Sequence, residues 1–274
     1  MKNLIIYLLI GLSAIACNKE EPFVEKVYSG YIFLESQQEV DAMADSSYTE
    51  IFELGIGMCQ ESSDITNIDG LKSLRIVHHL SICNNDGLKL LEGLQRLKTI
   101  TGSAEIYKNK NLSSLSGLRN LTSVGSDFRI VENNALTNLE GLERLHSIGK
   151  RLGIYNNKAL VSIAGLKGLK SLEHSLSISQ NEMLANINGL NGISSIDYIT
   201  IDDNGSLQNL SGLNNLEDIK ACFTITNNVA LTDFCAIKEL TFNGGWPVCY
   251  TVYGNAYNPT YEQIQTSGGG GCSL

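Results

Sequence analysis

The chain has 274 residues, room for one large domain or two small ones, with 43% apolar and 18% charged residues. Its net charge is −9, and the acidic residues are scattered along the chain and not gathered into a tail. That balance offers no basic face for nucleic acid, although it does not exclude a partner that carries its own basic patch.

The first residues address the compartment. Lys2 precedes an apolar run from Leu4 to Ile15, too short for a membrane span of about 20 residues but suited to a signal-peptide core. The run ends in Ala14-Ile15-Ala16-Cys17, which resembles a bacterial lipobox. The resemblance implies that residues 1–16 are a lipoprotein signal peptide and that Cys17 is lipidated. Asn18-Lys19-Glu20-Glu21 resembles the export signal of outer-membrane lipoproteins displayed outside the cell. Residues 17–27 then form the lipidated cysteine and a tether, whose reach at roughly 3.3–3.6 Å per residue is a few tens of ångströms. The expected location is the outer membrane, facing the exterior, with the lipid anchor as the membrane contact.

Residues 28–64 read as an N-terminal cap and first rung. Gln37 to Ala44 has helical character suited to covering the end of a core, and Tyr48 to Gly57 places Ile51, Leu54 and Ile56 in apolar positions. From Ile65 a unit of 23 or 24 residues repeats, with starts at Ile65, Leu88, Leu112, Leu136, Leu160, Leu184, Leu207 and Leu231. Each unit approximates L-x-x-[LI]-x-G-L-x-x-[LI]-x-x-[IV], a spacer, then apolar-x-Ile-x-x-Asn. A period in this range marks a solenoid. Pairs such as Leu80 with Ile82, Phe128 with Ile130, and Leu152 with Ile154 alternate as in a strand with one buried face. Stacked about 4.8 Å apart, such strands make a parallel sheet. Each buried side chain contributes roughly 1.5–3 kcal/mol, and no unit is large enough to fold alone.

Two positions recur with every unit. Gly70, Gly93, Gly117, Gly141, Gly165, Gly189 and Gly212 fall where a corner calls for positive φ or close backbone approach. Asn85, Asn109, Asn133, Asn157, Asn181, Asn204 and Asn228 are expected to stack as a buried ladder that satisfies turn amides. Residues 65–230 thus hold seven repeats, and 231–274 a C-terminal rung and cap. There Ala236 stands in the glycine position, Tyr250-x-Val252-x-x-Asn255 restores the strand, and Asn258-Pro259-Thr260 reads as the N-cap and first turn of a helix through Gln265. The expected fold is mainly β: a right-handed parallel β-solenoid of about nine rungs, roughly 40 Å long, with short helical caps at both ends.

These repeats, with Tyr28-Ser29-Gly30, Ile32, Leu34, Gln38, Glu39 and the closing Gly254-Asn255-Ala256-Tyr257-Asn258-Pro259-Thr260, resemble bacterial receptor L-domain-like proteins. Their pattern is related to the ligand-binding L domains of insulin and epidermal growth factor receptors. The resemblance covers about residues 28–274 and departs from the animal receptors in having one L domain, no cysteine-rich module and no kinase. It implies the leucine-rich fold, and growth-factor binding does not follow from it.

Six cysteines remain after Cys17, in a chain expected to reach a disulfide-permissive space. Repeat register suggests Cys59–Cys83 and Cys222–Cys249, which leaves Cys235–Cys272 to staple the tail back through Gly268–Gly271. No spacing resembles a zinc motif, and no metal or cofactor is expected. His78, His79, His146 and His174 fall at outward or corner positions with no carboxylate or nucleophile expected in register, so no catalytic residue is assigned. Asp202-Asp203-Asn204 reads as a solvated strand end, with calcium binding as the alternative. Tyr107, Val131 and Tyr155 should form an outward column flanked by Glu105 and Arg129. Such a column is either a binding face or a ladder that supports the sheet. The expected function is a non-catalytic surface module that engages an extracellular protein or glycan, with no nucleic-acid partner. A structural envelope component without a specific ligand and a polysaccharide-active β-helix enzyme remain as alternatives.

Overall fold

Apolar residues two apart, recurring every 23 or 24 residues, can share one core only if each strand lies beside its counterpart in the next unit. A computed structural model describes residues 25–242, 249–266 and 272–274. Cys17, the signal segment and the Gly268–Gly271 stretch lie outside the described residues. The protein is mainly β, and its fifteen described strands join in one sheet. Every strand pairing is parallel.

The long ladder starts with Val27–Leu34, Glu50–Ile56 and Ile76–Cys83. It continues through Ala104–Tyr107, Phe128–Val131, Arg151–Tyr155 and Ser175–Ser179. Ser195–Asp202, Asp218–Thr226 and Cys249–Tyr253 complete it. One inward column shows the register: Leu34, Ile56, Ile82, Ile106, Ile130, Ile154, Ile178, Ile201 and Ile225 each face the next. All nine are buried. A second track of two-residue strands, among them Thr99–Ile100, Ser123–Val124 and Ser147–Ile148, stacks alongside. The leucines of the repeat line the remaining walls, and Leu91, Leu115, Leu139 and Leu142 have no exposed surface.

The repeat glycines answer to close approach more than to backbone angle. At Gly117 an added Cβ would stand 1.8 Å from the Leu91 carbonyl oxygen of the preceding coil, and of the seven only Gly141 has positive φ, at 107°. Most of these glycines lie in short 3-10 turns such as Glu92–Leu94 and Ser116–Leu118. Left-handed backbone recurs instead just before each ladder asparagine. Asn84, Lys108, Glu132, Asn156, Gln180, Asp203 and Asn227 have φ between 51° and 59°, a conformation that costs an L-residue about 1–2 kcal/mol.

Both ends carry a short helix. Gln37–Ala42 starts at a capping box between Ser36 and Glu39 and buries Val40. At the other end the helix is Tyr261–Thr266, and its cap is Thr260, not Asn258. The Thr260 N–H donates to Gln263 Oε1 at 2.8 Å, and the Gln263 N–H donates to Thr260 Oγ1 at 3.2 Å. Asn258 is drawn away to close the asparagine ladder. Among the described residues no helix is long and apolar enough to cross a membrane.

Candidate functional site

The ladder asparagines are fully buried and bonded to one another. Asn133 Oδ1 accepts from the Asn109 backbone N–H at 3.1 Å and from Asn109 Nδ2 at 3.2 Å. Asn133 Nδ2 donates to the Ile106 carbonyl at 2.9 Å and the Val131 carbonyl at 3.0 Å. The same set recurs from Asn85 onward and extends one coil beyond Asn228, to Asn255. Asn258 Oδ1 then accepts from the Asn255 N–H at 2.9 Å and ends the chain of bonds. Every polar atom is used within the frame, so these side chains have nothing left with which to hold a ligand.

The outward face is where side-chain chemistry is free. Tyr107, Val131 and Tyr155 are in register, as are Glu105, Arg129 and Gly153. Arg129 is exposed and the other four candidate residues are half-buried. Arg129 Nε lies 3.5 Å from Glu105 Oε1. The Lys108 ammonium sits 4.8 Å from the Tyr107 ring centre, and its pKa is raised, first by a hydrogen bond to Tyr107 and then by Glu132. The Tyr155 ring folds down over Gly153 of its own strand, with Cε2 2.3 Å from where a Cβ would stand. Tyr155 therefore covers the sheet as well as presenting a surface.

The structure bonds Cys59 to Cys83 and Cys235 to Cys272. The expected third bridge is absent: Cys222 and Cys249 face each other in register but are both thiols. In-register neighbours on parallel strands hold their Cα–Cβ bonds side by side at about the 4.8 Å strand spacing. A disulfide draws the two Cβ atoms to about 3.8 Å. Each bonded pair has at least one cysteine outside the strands, Cys59 in the first and both Cys235 and Cys272 in the second, so strand spacing does not hold their Cβ atoms apart. A hydrogen bond with Cys249, followed by burial, pushes the Cys222 thiol up to about 11.

One histidine corrects the expectation that none would meet a carboxylate. His174 Nδ1 lies 3.0 Å from Asp197 Oδ2, and Lys220 Nζ lies 3.4 Å from Asp197 Oδ1. The His174 bond, with help from Lys220, holds the Asp197 carboxyl below its ordinary range against the opposing effect of burial. The contact was hidden because Ser175 pairs with Tyr198, 23 residues on, where most units advance by 24. Asp202 accepts from the hydroxyl of Thr226 at 2.5 Å and from Asn227 Nδ2 at 3.0 Å, so its carboxylate is engaged within the strand end. Among the described residues no group of three or more His, Cys, Asp or Glu is placed to hold a metal ion.

The first coils also hold an aromatic patch that the repeat pattern did not reveal. Tyr31, Phe33 and Phe52 are exposed at 61%, 56% and 39%. Phe52 stacks on His78 with ring centres 4.6 Å apart, and His79 packs edge-on at 4.4 Å from His78. The signal was present in the alternation of the first two strands: with Ile32 and Leu34 packed inward on the first and Ile51 on the second, Tyr31, Phe33 and Phe52 must point out. Comparison with family models finds no match, and comparison with curated proteins finds none either.

Proposed function

We propose that the chain is a lipid-anchored, non-catalytic binding module on the outside of the outer membrane, engaging an extracellular protein or glycan. Its body is read as a right-handed parallel solenoid of about nine L-domain-like rungs, capped by the first strand and by the two short helices. The observation that carries the reading is the division of labour between frame and face. The asparagines and leucines are consumed inside the coil, while Glu105, Tyr107, Arg129, Val131 and Tyr155 form an ordered, mixed surface on the broad sheet. Tyrosine beside arginine is the composition of binding surfaces.

Two titratable groups of the described sheet are engaged with neighbours. The Cys222 thiol is held protonated by Cys249, and Asp197 is committed to His174 and Lys220. The fold of Tyr155 over Gly153 supports the second reading, a structural envelope component whose outward ladder merely braces the sheet.

The full chain, purified in mild detergent and applied to glycan and extracellular-protein arrays, separates the two. Specific retention weakened by at least tenfold in Tyr107→Ala with Tyr155→Ala, at unchanged melting temperature, supports the binding face. Loss of stability without a specific binding loss favours the brace. The anchor is tested by Cys17→Ser, which should abolish acylation and move the protein out of the detergent phase. A correctly processed, detergent-phase variant would refute it.

A further inference from the structure

Phe33 lies directly opposite Gly55 on the neighbouring strand. Its Cδ1 stands 2.5 Å from the point a Cβ on Gly55 would occupy, so the ring lies over the sheet in a space that only glycine leaves. Over half of the residue, 56%, is nevertheless exposed. A hollow of about 340 Å³ opens on one side, lined by Phe33, Glu53, His79, Ser81, Glu105 and Arg129 among others. A second, of about 480 Å³, opens on the other side against Glu35, Gly57 and Glu61. Both volumes fall within the roughly 300–1,000 Å³ of small-ligand sites.

We infer that Phe33 is the stacking platform of a saccharide subsite, and that the ligand is an uncharged linear polysaccharide running along the coil axis. The inference rests on the binding-module reading and names the ligand class for it. Four features favour this occupant. An exposed aromatic ring bordered by open hollows can stack on the C–H face of a pyranose, whereas a protein partner's anchor side chain needs a deep, fully desolvated pocket. The Glu105–Arg129 pair, 3.5 Å apart, sets acceptors and donors side by side, as adjacent sugar hydroxyls require. Glu35, Glu53, Glu61 and Glu105 outnumber Arg129 around Phe33, so a polyanionic chain would be repelled. The outward column Phe33, Gly55, Ser81, Glu105 and Arg129 advances about 4.8 Å per strand, close to the length that one pyranose adds to an extended chain.

The experiment is affinity electrophoresis of the full chain in detergent. The gels carry soluble xylan, mixed-linkage β-glucan, galactomannan or an α-glucan, with polygalacturonate as the acidic probe. The expected result is retardation by at least one neutral polymer, weakened at least tenfold in Phe33→Leu, which keeps an apolar cover over Gly55 but removes the ring face. Glu105→Gln should weaken it at least threefold, while Tyr253→Ala, at the far end of the sheet, should leave it unchanged. Circular dichroism melts of each variant separate a lost platform from a lost fold. If Phe33→Leu melts early, Phe33→Tyr, which keeps the ring, must restore both stability and retardation. Retardation that survives Phe33→Leu but is lost in Tyr107→Ala with Tyr155→Ala would overturn the subsite and leave the binding-module reading standing. Retention by polygalacturonate alone, or by no polysaccharide, would overturn the ligand class. A basic protein captured on an array by the wild-type chain but not by Phe33→Leu would do the same.

Discussion

Asn133→Ala tests the asparagine ladder at the centre of the stack. The truncation removes the acceptor for the Asn109 backbone N–H and the donor to the Ile106 carbonyl. The Val131 carbonyl still accepts from the Lys108 N–H at 2.9 Å, and Asn109 Nδ2 still reaches the Ile82 carbonyl at 2.8 Å. One buried amide is therefore orphaned, at about 1–3 kcal/mol, and roughly two further bonds of about 0.5–1.5 kcal/mol each are lost. The sum is about 2–6 kcal/mol. For a domain of this size that lowers the melting temperature by about 4–24 °C. Thermal melts by circular dichroism measure the whole, and hydrogen exchange locates it: the Asn109 amide should lose protection while the Asn181 amide keeps it. The exposed neighbour Asn134 serves as control: Asn134→Ala removes a single exposed bond from the Lys158 N–H at 3.3 Å and should cost about 0.5–1.5 kcal/mol. A melting shift below about 3 °C for Asn133→Ala, with Asn109 still protected, would show that the ladder geometry contributes little.

Leu142 is fully buried, so Leu142→Asp should cost several kcal/mol, through an unpaired carboxylate in a stack that depends on neighbouring coils. Urea unfolding measures it, and an unchanged midpoint would refute the alignment at that rung. Cys222 is held protonated up to about 11 by Cys249 and burial, so iodoacetamide should label it slowly at neutral pH and faster as pH rises through that value. Rapid labelling at pH 7, or a Cys222–Cys249 peptide in non-reducing mapping, would refute the free-thiol pair. Asp197 has a lowered folded pKa, so its contribution to stability is complete above the ordinary carboxylate range of about 4 and is lost as pH falls through the folded value. Asp197→Asn should therefore show a shallower loss of stability between pH 5 and pH 2, and a loss equal to that of the parent chain would remove His174 and Lys220 as its partners.

The interior of this protein was legible because it is periodic. A residue such as Ile130 is dictated twice, by alternation within its strand and by Ile106 and Ile154 on either side, so a single sequence carries its own alignment. What escaped lies where the period breaks. His174 meets Asp197 because one unit is a residue short. Asn258 closes the ladder instead of capping a helix because the terminal coil must end its bonds on something. The left-handed residues Lys108, Glu132 and Gln180 carry no compositional mark, since the asparagine that follows them, and not a glycine, stabilises the turn.

The same periodicity explains why the face was read only in part. Outward residues contribute little to the core, so no rule of packing constrains their type from one coil to the next. Along one outward column the residues run Phe33, Gly55, Ser81, Glu105, Arg129, Gly153, Ser177, Thr200, Thr224 and Thr251. The first six mix an aromatic ring, two glycines, a serine and an ion pair, whereas the last four are an unbroken row of hydroxyls. A ladder whose only task is to brace a parallel sheet has no physical reason to change chemistry along the column, because each strand meets the next in the same parallel pairing. The change tracks the distance from the N-terminal end, where the exposed rings and the two hollows lie. On the binding-module proposal that end is where a ligand would gain most from contact, and the row of hydroxyls supplies the uniform surface against which its effect can be measured.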